Sequence, residues 1–364
     1  MITLRKFLAS MTLLPALMAA PLTHAEALYT INALPENFYP SALNNAGQIA
    51  GIADRGDGTT HAAIYAGGVV TDLASFGGAY FDIITITDTG TVLGNVAPTV
   101  GDNRAFVYSN GSMQEIPGLY AYGINAAGDI VGYNNGAVLY RQGTLTALGY
   151  LGSGDFSNAR DINDAGDIVG TSTIDLDFHS RQHPFLYRDG ALHDLGTLDE
   201  REFNSAVAIN NAGQIAGYSE GTGGGMHAFF YENGVMSDLG SFGGLNLNVG
   251  GMNEHGQIVG TGEPWEGDRV GFISQNGGLV DLNTLIDPAL GWQIGGAIAI
   301  NDYGQILAYA CRAFECTNVR LDLAGAVPEP GSAWLLLPGL LVVAGIRRKQ
   351  ALRSRHVSAI AQAV

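Results

Sequence analysis

One pattern, written seven times, limits this chain more than any other feature. It has the form I-N-x-x-G-x-I-x-G and occurs as LNNAGQIAG from Leu43, ITDTGTVLG from Ile86, INAAGDIVG from Ile124 and INDAGDIVG from Ile162. It continues as INNAGQIAG from Ile209, MNEHGQIVG from Met252 and INDYGQILA from Ile300. The turn glycines Gly47, Gly90, Gly128, Gly166, Gly213, Gly256 and Gly304 are 43, 38, 38, 47, 43 and 48 residues apart. A period of this size marks a repeat architecture, in which one unit cannot bury its apolar face alone and must stack on its neighbours.

Each copy is followed by a second half, fullest as HAFFYENGVMSDLGSFGG from His227 and echoed from His61 and His183. More degenerate versions start at Arg104, Gly136, Val270 and Arg312. In INNAG an Asn opens a turn by bonding backbone two residues on, and a Gly closes it in the left-handed region. The flanking runs, such as AVAI and QIAGYS, have the short, β-branched texture of buried strands. AFFY and VMSDL then pair around ENG as a second hairpin. Two hairpins per unit predict an all-β propeller of seven four-stranded blades, with strands a, b, c and d in chain order. An open β-solenoid is the alternative. LYTINALP from Leu28 and VRLDLAG from Val319 both read as last strands, one of which completes the final blade beside the other terminus and removes an open edge.

The first 25 residues carry Arg5 and Lys6, an apolar run from Phe7 to Ala20, and small residues before candidate cleavage points after Ala25 or Ala27. They read as a secretory signal peptide, and residues 26–325 as the repeat domain. Export places Cys311 and Cys316 in a compartment that permits disulfides. Their spacing suits facing positions of a tight hairpin without fixing the pairing. Of the 17 Lys and Arg only 10 lie in the repeat domain, all Arg, against 33 of the 34 Asp and Glu. So acidic a body repels phosphate backbones and excludes nucleic acid as a natural partner, leaving cations and neutral sugars.

The combination of HAFFY, DLGSFGG and INNAGQIAG at fixed separations resembles the bacterial extracellular repeat family named for its His-Ala-Phe triplet, intact here at His227, Ala228 and Phe229. The resemblance covers nearly all of residues 28 to 323. It implies an exported β-repeat protein without an established catalytic activity.

In such a ring the a–b and c–d turns share one face, short and uniform, whereas the variable b–c and d–a connections share the other, where binding residues concentrate. Candidate ligand-binding residues there are Asp175, Asp177 and His179 in one b–c loop and Glu263, Trp265, Glu266 and Asp268 in another. Carboxylates beside an exposed indole suit a polysaccharide or a divalent cation such as calcium. The same carboxylates leave a secreted glycan hydrolase or lyase as the alternative, with Glu263 and Glu266 as its acids. No cofactor is implied and no catalytic residue is assigned: G-x-S-x-G, H-E-x-x-H and phosphate-loop motifs do not occur. His61, His183 and His227 recur at one repeat position and read as blade supports, as do Asp72, Asp194, Asp238, Asp281 and Asp322 at the D-L position.

The chain then changes character. Val327, Pro328, Glu329 and Pro330 precede an apolar stretch from Ala333 to Ile346 and the basic Arg347, Arg348 and Lys349. Fourteen residues fall short of the about 20 that a transmembrane helix normally needs. This order resembles the PEP-CTERM sorting signal of Gram-negative bacteria, placed over residues 326–349 with a short transmembrane helix and a basic tail from 350 to 364. The resemblance implies an exosortase-type membrane protease-transpeptidase as partner and cleavage near Pro328–Pro330. It further implies transient inner-membrane anchoring followed by release to the cell surface or extracellular matrix. The fifteen residues after Lys349 depart from the usual abrupt end.

Overall fold

A computed structural model describes residues 28–74, 80–97, 104–175, 181–313 and 315–325. The signal peptide and the whole sorting segment lie outside these residues. Strand β1 (Tyr29–Ala33) precedes the first blade. Blade 1 is β2 (Phe38–Leu43), β3 (Ile49–Asp54), β4 (Thr60–Ala66) and β5 (Val69–Ala74). Blade 2 is β6 (Tyr80–Ile86), β7 (Val92–Ala97), β8 (Arg104–Ser109) and β9 (Ser112–Pro117). Blade 3 is β10 (Tyr120–Ile124), β11 (Ile130–Tyr133), β12 (Ala137–Arg141) and β13 (Thr144–Gly149). Blade 4 is β14 (Ser157–Ile162), β15 (Ile168–Thr173), β16 (Gln182–Arg188) and β17 (Ala191–Asp194). Blade 5 is β18 (Asn204–Ile209), β19 (Ile215–Glu220), β20 (Met226–Glu232) and β21 (Val235–Gly240). Blade 6 is β22 (Gly243–Met252), β23 (Ile258–Pro264), β24 (Val270–Gln275) and β25 (Gly278–Asp281). Blade 7 is β26 (Gln293–Ile300), β27 (Ile306–Arg312) and β28 (Glu315–Leu323), and β1 pairs with β28 as its fourth strand. The protein is thus a seven-bladed propeller of four-stranded antiparallel sheets.

The repeat owes its fixed residues to two contacts. The last Gly of the motif and the Phe of the second half face each other across strands b and c, as Gly94 and Phe106, Gly170 and Phe185, Gly217 and Phe229, and Gly260 and Phe272. A Cβ on Gly217 would collide with the Ser205 carbonyl of strand a and stand 2.7 Å from the Phe229 ring. Removing that Cβ lets strands a and b close up at the bulge and gives the ring a bed. All four Phe are 0% exposed, a burial that contributes about 1.5–3 kcal/mol each. Where Phe is absent, Ala63, Val138 and Val319 take its place.

The second contact ties blade to blade. Each motif Asn accepts from backbone N–H groups of its own turn and donates its amide to the next blade's turn carbonyl. Asn44 donates to Thr87, Asn125 to Asn163, Asn163 to Asn210, Asn253 to Asn301, and Asn301 back to Asn44, at 2.9–3.1 Å, with Asn210 to Asn253 longer at 3.4 Å. Blade 2 carries Thr87 instead of Asn and cannot reach blade 3 this way. There buried Asn95 donates to the Ala121 carbonyl (3.0 Å) and accepts from the Ala121 N–H (2.7 Å), replacing the missing link.

Two expectations change. VRLDLAG is not a last strand: Val319–Leu323 belong to the second half of β28, the third strand, and β1 alone supplies the fourth. Asp322 is consequently not equivalent to the other D-L acids. It accepts from Asn32, Gln305 and Arg320 where β28 meets β1 and β27. At true D-L positions the acids support the blade: Asp194 and Asp238 stand within 3.0 Å of His183 and His227 Nδ1 and accept from the Gly196 and Gly240 N–H groups. Asp72 likewise neighbours His61 and Arg55. Cys311 and Cys316 face each other across β27 and β28 and are joined as a disulfide.

Candidate functional site

On the loop face, Arg181 grips Asp175 through its Nε and Nη2 (3.2 and 2.8 Å). Asp177 and His179 lie outside the described residues. In blade 6, Glu263 accepts from Asn246 (2.6 Å) and Arg269 (2.8 Å). The Asn246 amide, and with it Arg269, holds its carboxyl below the usual range. Trp265 is 77% exposed, with Glu266 and Asp268 exposed beside it. The structure therefore brings Glu263, Trp265, Glu266 and Asp268 together on one loop, with Asp175 on another blade.

The apolar side chains that sequence reasoning missed on this face include Phe203, Leu245 and Tyr150, at 52%, 60% and 42% exposure. They sit on the d–a side of blades 3 to 6. Phe203 follows Arg201, which bonds Glu220 at the b–c end of blade 5. A Cβ on Gly225 in that b–c loop would lie 3.9 Å from the Leu245 Cα, and Asn246 beside it bonds Glu263. Phe203, Leu245 and Trp265 thus follow one arc of loops. Phe203 and Leu245 carry no signal in the sequence, and only the ring brings them onto one side with Trp265.

The opposite face, expected to be scaffold, holds a cavity of about 390 Å3 on the propeller axis. Its floor is the ring of motif Ile residues and their Leu43 and Met252 counterparts, and its rim is the residue after each motif Asn. In six blades that residue is Asn45, Asp88, Asp164, Asn211, Glu254 or Asp302; in blade 3 it is Ala126. The rim is a chain of bonds in which the Asn45 N–H donates to Asp88, Ala126 to Asp164, Asp164 to Asn211, Asn211 to Glu254, Glu254 to Asp302, and Asp302 to Asn45. No Lys, Arg or His lines the cavity. Burial, and then the charges of Asp302 and Asp164, push the Glu254 carboxyl up.

Below the rim, the residue just after the bulge of each inner strand is small in six blades: Ala42, Thr85, Gly123, Ala208, Gly251 and Ala299. In blade 4 it is Asp161. Its carboxylate accepts from the Ile162 and Ile209 N–H groups, both at 2.9 Å, and a Cβ on Gly123 would stand 3.0 Å from its Cα and Oδ1. Asp161 is partly buried, with the Gly123 backbone on one side and the Ile209 N–H on the other. That desolvation pushes its carboxyl from 3.8 up to about 7, against the two N–H bonds and with a small contribution from Glu254.

An acid with a raised folded-state value keeps a proton that the unfolded chain gives up, so its ionisation lowers stability as pH rises from about 4 to about 7. Asp161→Asn should flatten this part of the stability profile. The amide keeps only one acceptor oxygen for the Ile162 and Ile209 N–H groups, so the variant should be the less stable protein near pH 4 and the difference should narrow as pH rises to about 7. Denaturant unfolding of both proteins on either side of that window checks it; parallel profiles would show that Asp161 carries no such penalty.

Among the described residues, no group of three or more His, Cys, Asp or Glu is arranged to hold a metal ion, and no helix is long and apolar enough to cross a membrane.

No family model and no curated protein matches the sequence. Solved structures do match by shape. The β-propeller domain of the Trilobed protease from Pyrococcus furiosus is similar with a TM-score of 0.52 at 12% identity, over 80% of this chain and 96% of that one. An oligogalacturonate lyase from Vibrio parahaemolyticus gives 0.51 at 12%, over 81% and 92%. A chain of the mitotic checkpoint complex gives 0.51 at 11%, over 86% and 99%. At these identities the likeness shows the propeller fold alone, on which catalytic and non-catalytic proteins are both built.

Proposed function

We propose that the protein is an exported, non-catalytic propeller of the cell surface or extracellular matrix that binds polysaccharide through its b–c and d–a loop face. The observation that carries this reading is the arc of exposed Phe203, Leu245 and Trp265 among carboxylates. The flat rings of Phe203 and Trp265, rimmed by hydrogen-bonding groups, suit the apolar face and hydroxyls of a sugar ring. Export rests on the signal-like first 25 residues and on the resemblance of residues 326–349 to a PEP-CTERM signal, with an exosortase-type enzyme as partner.

Two pairings favour binding over a glycan hydrolase that uses Glu263 or Asp175 as its acid. A hydrolase needs one carboxyl held protonated near neutral pH. The Glu263 carboxyl is instead held low, with Arg269 and Asn246 as partners, and Asp175 is paired with Arg181. At Glu263 and Asp175 the same pairings disfavour calcium, because an arginine already sits against the carboxylate.

Retention on immobilised neutral exopolysaccharide tests this. Trp265→Ala should weaken binding about tenfold, the loss of about 1.4 kcal/mol. The fold should be unaffected, since the side chain is 77% exposed. Equal retention of parent and variant would remove the arc as the binding surface.

A further inference from the structure

We propose that the face carrying the a–b and c–d turns lies against the membrane while the C-terminal segment is inserted, so that the loop face points away from it. This rests on the export reading above. Strand β28 runs towards the turn face, and antiparallel β1 starts there. The Ala324 N–H donates to the Leu28 carbonyl at 2.7 Å, so the chain enters and leaves the propeller at one point. Leu28 and Leu323 share a small cavity with Asp302, Tyr303 and Gly304 of the blade 7 a–b turn, which fixes that point on the turn face.

The reach of the tail does the rest. Seven residues separate Gly325 from Ala333, where the apolar stretch begins, a span of at most about 29 Å when fully extended. Passing from the turn face to the loop face requires the height of a six-residue strand, about 20 Å, plus the loops and the path around the blade edge. That route uses up most of the tail's reach before the bilayer is met, so an inserted apolar segment favours the turn face as the one nearest the bilayer. Charge does not hold it there: the axial cavity carries Asp88, Asp164, Glu254 and Asp302 without a basic residue and repels anionic headgroups. The tether sets the orientation, and the arc of Phe203, Leu245 and Trp265 is left facing outward.

Single thiols at Ala165→Cys in the blade 4 a–b turn and Thr222→Cys in the blade 5 b–c loop, both exposed positions, test this on the chain after signal removal. The two native cysteines are joined to each other, so each introduced thiol is the only free one. With a fluorophore on the thiol and nitroxide headgroup lipid in vesicles of phosphatidylethanolamine and phosphatidylglycerol, quenching at 165 should exceed that at 222 several-fold. Equal quenching, or stronger quenching at 222, overturns the orientation. Failure of both labelled chains to co-sediment with vesicles overturns the membrane-tail reading itself, and the orientation with it.

Discussion

Deleting β1 (Tyr29–Ala33) is expected to lower the unfolding free energy by roughly 5 kcal/mol or more. The strand pairs with β28 along its whole length, from Tyr29 opposite Leu323 to Ala33 opposite Val319. It buries Tyr29 to 3% exposure in the core shared by blades 6 and 7 and supplies Asn32 to Asp322. Without it, β28 becomes an open edge beside an uncovered core, a state that invites pairing with another chain. Denaturant unfolding should show the loss, and size-exclusion chromatography should show association. A truncated chain that unfolds at the parent's midpoint and stays monomeric would mean that the ring does not depend on this closure.

Asn95→Ala should cost about 2–4 kcal/mol, although it lies outside the repeated motif. Its amide makes both halves of a buried exchange with the Ala121 backbone, and truncation leaves that N–H and carbonyl without partners. Thr87→Asn restores the motif residue that blade 2 lacks and should recover part of the loss, because its amide would reach towards the Asn125 carbonyl as the other ring amides reach theirs. The two changes should therefore be non-additive in a double-mutant cycle. Additive losses would show that Asn95 and the ring of motif amides are independent.

These two sites show how far the sequence could be read. Blade count, strand order and the division into two faces follow from the motif because turn chemistry and period-two burial are local. The Asn of the motif was readable as a turn opener, but its link to the next blade crosses 38 to 48 residues in most of the ring. Only its recurrence in six units hinted at a second role. Asn95 carried no signal, since it compensates for a departure that matters only in three dimensions. VRLDLAG misled because β28, at nine residues, runs long enough to look like two strands.

The candidate site was legible in part for the same reason. Glu263, Trp265, Glu266 and Asp268 are consecutive enough to share one loop, whereas Phe203 and Leu245 join Trp265 only through the ring. The axial cavity was passed over because its rim residues are read one turn at a time as solvated polar positions. Asp161 stands out only when the register aligns it with six small residues.

The most direct test is to incubate the purified full chain with a panel of neutral and acidic polysaccharides and to measure binding and new chain ends in the same samples. The account expects saturable binding to at least one polysaccharide, weakened by Trp265→Ala, with no new ends formed. Release of new ends that stops on replacing Glu263 or Glu266 would contradict it and make the protein an enzyme of the loop face.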